Sequence, residues 1–88
     1  MAQKRGGLEV HLDEMVAVSR RRLAAQDADR AAISERDAVA RRILKEDNLS
    51  AREAARVIRE RLEADGFTPE QIRVLGVSEA NLKPLARG

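Results

Sequence analysis

The sequence contains no cysteine, tryptophan or tyrosine. Without thiols there is no disulfide, no thiolate nucleophile and no sulfur-ligated zinc site, and the chain suits a reducing, cytoplasmic setting. Phe67 is the lone aromatic side chain. Platforms on which unpaired bases stack are therefore missing, which argues against recognition of single strands or RNA loops. His11 is the only histidine. Glu14 lies one turn away, but no further nitrogen or sulfur ligand accompanies the pair. The expected role of His11 is a half-exposed structural residue at the edge of the first helix. Gly-rich phosphate loops are absent, and no uncharged run approaches the ~20 residues of a membrane span. The segment from Met1 to Gly7 carries Lys4 and Arg5 without the apolar stretch of a signal peptide. These absences leave no catalytic residue, metal, cofactor, small-molecule substrate or membrane association to expect. What is left is a protein that binds another macromolecule.

At 88 residues the chain makes one domain, and such a domain buries only about 60–65 % of its unfolded surface. Beyond the initiator, 22 large apolar side chains are available: nine Leu, seven Val, four Ile, Met15 and Phe67. Fifteen alanines add little volume. So thin a core depends on close helix packing, or on a second copy of the chain, and a homodimer is one expectation. The net charge of +2 is the small difference between 17 basic and 15 acidic groups, and 14 of the 17 are Arg. Arginine favours bidentate contacts to phosphate or carboxylate.

Helical spacing dominates. Residues 1–7 read as a flexible lead-in and 8–88 as a single helical domain. In the first helix Leu8, Leu12, Met15, Val16, Ser19 and Leu23 recur at steps of three and four, and Val10 and Val18 widen the stripe. The pattern fades between Ala24 and Ala31, where a single helix continues or a bend intervenes. A second face follows in Ile33, Val39, Ala40, Ile43 and Leu44, with Ser34 and Asp37 as a capping pair before it. Glu46, Asp47 and Asn48 end that helix, with acids set against the negative end of its dipole.

The third helix is bounded by a Ser50–Glu53 capping box and by Gly66. It buries Ala51, Ala54, Ala55, Ile58 and Leu62. Its other face displays Arg52, Arg56, Arg59, Arg61, Glu60 and Glu63 as an exposed, salt-laced surface. Two short helices complete the chain, the first capped by Thr68 with Pro69 and Gln71, the second by Ser78. Pro84 restricts the last helix to about one turn before it, or kinks it. The fold class is therefore all-α: a compact bundle of four to five helices, the longer ones N-terminal, closed by two short capped helices.

Four groups of residues are candidates for binding. Leu75, Gly76, Val77, Leu82 and Leu85 are spaced so that this closing pair resembles the centre of a helix-turn-helix motif. In that motif Asn81, Lys83 and Arg87 would meet a groove or its phosphates. Arg20, Arg21, Arg22, Arg41 and Arg42 are the densest positive groups. They either grip a phosphate backbone, with steep salt dependence, or form a solvated surface neutralised by Asp13, Asp37 and Glu46. The stripe Leu8, Leu12, Met15, Val16 and Leu23 either packs inside the domain or lies in a partner's groove. Arg52, Arg56 and Arg59 make a charged face suited to a protein target. Two functions fit. The first is a small regulatory protein that contacts double-stranded DNA as a dimer, through the degenerate helix-turn-helix and the arginines. The alternative is a helical adaptor or inhibitor of antiactivator, antitoxin or phage-inhibitor type.

Overall fold

A computed structural model describes residues 7–24 and 30–87. They form five helices and no strand: α1 (Gly7–Ala24), α2 (Arg30–Lys45), α3 (Ala51–Ala64), α4 (Pro69–Leu75) and α5 (Glu79–Arg87). The lead-in, apart from Gly7, and residues 25–29 lie outside the described residues. Gly7 itself opens α1, and the stretch from residue 8 to residue 47 holds two helices. Because α2 begins at Arg30, Ser34 sits in its second turn and cannot be its N-cap.

One core joins all five elements. Leu12, Met15, Val16 and Val18 of α1 meet Val39, Ala40, Ile43 and Leu44 of α2 and Ala54, Ile58 and Leu62 of α3. Phe67, Ile72, Leu75, Val77 and Leu82 supply the rest. The i, i+4, i+8 spacing of Ala54, Ile58 and Leu62 keeps one edge of α3 inward along its whole length. All three are fully buried.

Caps fix where the later helices begin and end. Ser50 Oγ accepts from the Glu53 N–H at 3.1 Å, and the Glu53 carboxylate accepts from the Ser50 N–H at 3.2 Å. Thr68 and Gln71 make the same reciprocal pair at 3.1 and 2.9 Å, with Pro69 at the first position of α4. Gly66 (φ 93°) ends α3 with N–H bonds from Gly66 to Glu63 and from Phe67 to Leu62, the double closure that turns Phe67 back into the core. Gly76 (φ 69°) ends α4 with a single bond from its N–H to the Arg73 carbonyl at 3.2 Å.

α5 lies against α2 and α3, whereas α4 lies against α1 and α3. No Cα of α4 comes within 8 Å of α5. In a helix-turn-helix the second helix seats on the first; here Leu82 is buried with α2 and α3 instead. The helix-turn-helix spacing of Leu75, Gly76, Val77, Leu82 and Leu85 therefore serves core closure by two diverging helices. Pro84 neither stops nor shortens α5, which runs three residues past it.

Candidate functional site

Most charged side chains on α1 and α2 have partners inside the chain. Arg21 pairs with Glu35, and Arg42 with Glu14 at 2.9 Å, so two ion pairs cross from α1 to α2. The Arg20 guanidinium lies 5.4 Å from the centroid of the Phe67 ring, a cation–π contact between α1 and the loop after α3. Arg22 is half-buried and Arg41 exposed, neither with a described partner. The acids expected to neutralise this cluster do other work. Asp13 receives Arg61 Nη2 at 2.5 Å, and Asp37 receives Arg36 at 2.9 Å.

Arg61 is not part of an exposed face. It is half-buried, bonded to Asp13 of α1 and to Asp65 at 3.2 Å, with Glu9 at 3.7 Å. Its side chain reaches round α3 to α1, and the bond to Asp13, ahead of that to Asp65, raises its pKa further above neutrality. Arg36 is a second long-range staple. Its Nη1 donates to the Leu75 carbonyl at 2.7 Å, satisfying one of the orphan acceptors at the end of α4.

His11 is buried rather than half-exposed. Its Nδ1 donates to Asp47 Oδ2 at 2.8 Å, and Glu46 approaches Nε2 at 3.8 Å. The Asp47 carboxylate also lies against Gly7, where an added Cβ would stand 3.0 Å from Oδ1. The acids that oppose the dipole of α2 thus sit at the favourable, positive end of α1. No group of three or more potential metal ligands occurs among the described residues.

The apolar stripe of α1 is occupied within the domain. Leu12, Met15 and Val16 are buried, and Leu8 and Leu23 are half-buried against the same core. Of the two placements expected for the stripe, packing inside the domain is the one seen for these side chains. Asn81, Lys83 and Arg87 are exposed on α5, and Lys83 pairs with Glu79 at 3.6 Å. These residues lie on α5 and Arg20, Arg21 and Arg22 on α1, two helices with no Cα pair within 8 Å.

Arg52, Arg56 and Arg59 do converge. Spaced i, i+4 and i+7, they line one side of a groove of about 530 Å³ between α3, α4 and the start of α5. Arg73 of α4 faces into the same groove. Its floor is apolar: Ala55, Ile72 and Val77. None of the four arginines has a hydrogen-bond or ion-pair partner among the described residues. The two acids lining the groove are engaged elsewhere, Glu53 with the cap of α3 and Glu79 with Lys83. The Ser50 backbone N–H, then the Ser50 hydroxyl, and more weakly Arg56 hold the Glu53 carboxyl below the ordinary carboxylate range against a small opposing effect of burial.

No family model, curated protein or solved structure matches this chain. Its site must be read from its own residues. Among these, Arg52, Arg56 and Arg59 were recognisable from their spacing on α3, while Arg73 and the apolar floor were not. They arrive from α4 and the turn after Gly76, and only the local signals Thr68–Gln71 and Gly76 hinted that a second wall would stand there.

Proposed function

We propose that the chain is a non-catalytic protein-binding adaptor or inhibitor that receives its target on the groove between α3, α4 and α5. The observation that carries this reading is the set of four unpartnered arginines, Arg52, Arg56, Arg59 and Arg73, over an apolar floor. Elsewhere on the described surface Arg21, Arg36, Arg42 and Arg61 are paired, and Arg22 and Arg41, which are not, lie outside this groove, so it is the convergence of four such groups that distinguishes the site. An apolar floor with a charged rim is the anatomy of a protein contact, where a few buried side chains anchor and polar groups set register.

Arg52 adds support. It stands in the first turn of α3, where a cation opposes the helix dipole, and one turn from a second unpaired cation, Arg56. Both placements cost stability. A site that needs positive charge there accounts for them.

The DNA-contacting reading has less behind it. The phosphate-gripping cluster is divided, since Arg21 and Arg42 are ion-paired and Arg20 lies on Phe67. The presumed reading helix, α5, is packed between α2 and α3.

The test is affinity capture from the source cell with the wild-type chain and with a variant carrying Arg52→Glu, Arg56→Glu and Arg59→Glu, beside binding to a duplex DNA pool at two salt concentrations. Circular dichroism monitors the fold of both. The expected result is a protein partner retained by the wild type and released by the folded variant, with no duplex binding. Equal capture by both removes the groove from consideration. Salt-sensitive duplex binding that the variant loses establishes the DNA reading instead.

A further inference from the structure

Resting on the protein-binding reading, we infer that the segment seated in the groove is a short acidic amphipathic helix of the partner, with aliphatic side chains on the floor and carboxylates against the arginines. Three observations lead there. The first is charge. Four guanidinium groups and two carboxylates line the site, a net excess of two positive charges (4 − 2), and Glu53 and Glu79 are paired with Ser50 and Lys83 rather than with the arginines. A guanidinium accepts a carboxylate through two parallel N–H bonds, so carboxylates are the protein groups that best complete it.

The second is the floor. Ile72 and Val77 are themselves buried, and Ala55 is half-buried. The surface between the charges is thus a shallow aliphatic seat. A purely polar acidic tail would leave it wet; an alternating acidic and aliphatic surface would cover it. No aromatic lines it, so a nucleic-acid strand would find phosphate contacts but nothing to stack on.

The third is spacing. At about 1.5 Å rise per residue, Arg52 and Arg56 are separated by roughly 6 Å along α3, and Arg56 and Arg59 by about 4.5 Å. An extended peptide presents same-side residues at a uniform ~6.6–6.8 Å and falls out of step at the second interval. A helix lying along α3 repeats the same unequal intervals through its own i, i+4 and i+7 positions. The start of α5, with Ser78 and Glu79 at the groove's end, adds the positive end of a helix dipole to the same field.

The experiment titrates the full, isotopically labelled chain with a synthetic amphipathic helical peptide that carries Glu on one face and Leu on the adjoining face. Its controls are the same peptide with Glu→Gln, the same peptide with Leu→Ser, and a mixed-sequence duplex DNA. The expected result is saturable perturbation of backbone amides from Arg52 to Arg59 and around Arg73 and Val77, with affinity falling about tenfold or more in either control peptide. The folded variants Arg59→Gln and Arg73→Gln should each weaken binding of the Glu/Leu peptide and leave the Gln peptide unaffected. Equal binding of the Glu and Gln peptides at the groove overturns the acidic assignment while the docking reading stands. Equal binding of the Leu and Ser peptides overturns the amphipathic one. Duplex DNA perturbing the same amides at lower concentration than the peptide overturns the docking reading itself. Failure of the Glu/Leu peptide to perturb the groove at millimolar concentration overturns the inference.

Discussion

Single residues carry several of the long-range ties of this fold, and they are the part the sequence concealed. His11 and Asp47 are 36 positions apart yet bonded, both nearly removed from water. Neither their spacing nor their neighbours announces the pair, because a helix-end acid and a lone histidine read as ordinary surface groups until packing joins them. Replacing Asp47 by Ala leaves a buried imidazole without its acceptor, and we expect a loss of about 1–3 kcal/mol in urea unfolding. Gly76 is the converse case, legible from sequence as a helix stop but not for its surroundings. At φ 69° any side chain is strained, and an added Cβ would stand 2.9 Å from Arg36 Nη1 and 3.0 Å from Asn81 Nδ2. Gly76→Ala should therefore cost at least the ~1–2 kcal/mol of the left-handed conformation. Pairing it with Arg36→Ala should not recover that loss, since the Leu75 carbonyl then loses its donor; a thermal-melt comparison of the three variants decides.

At the scale of the helices, local chemistry announced most of what formed. The two capping boxes and the two glycine closures are short-range signals, readable because their partners lie within five residues. α2 shows the limit. The residues before its start at Arg30 lie outside the described ones, and Ser34, which resembles a cap, lies inside the helix. Pro84 shows the same limit from the other side: it lies inside α5, where it removes one interior N–H donor, and the helix nevertheless continues to Arg87. Capping has a pH signature. With the folded pKa of Glu53 below its unfolded value, its contribution is present above the ordinary carboxylate range and lost as pH falls through the folded value. Wild-type stability should thus fall further between about pH 7 and about pH 3 than that of Glu53→Gln, which keeps a neutral box. Equal losses in denaturant titrations at the two pH values would remove Glu53 from the acid response.

For the molecule as a whole, the all-helical class was visible in the sequence, whereas the order of packing was not. Apolar spacing says which face of a helix turns inward but not which helix it meets, so the separation of α4 from α5 and the second wall of the groove emerged only with the fold. The arginine surface has a cost that can be measured. Arg52→Gln removes a cation from the wrong end of the α3 dipole and from beside Arg56. It should raise stability by about 0.3–1 kcal/mol at low salt while weakening capture of the partner. In high salt the stabilisation should fade. A variant that is less stable at low salt would show that Arg52 holds the fold rather than a ligand.

All four cations of the groove are guanidinium groups, and no lysine stands among them. Acetylation has no target there and alkaline conditions do not discharge it, while arginine methylation would keep the charge but block the paired N–H bonds to a carboxylate. Amine-directed cross-linkers would pass the site by, and reagents that modify arginine would find it at once. On the protein-binding reading, release is then set by methylation of these arginines or by a change in the occupant's own charge or shape.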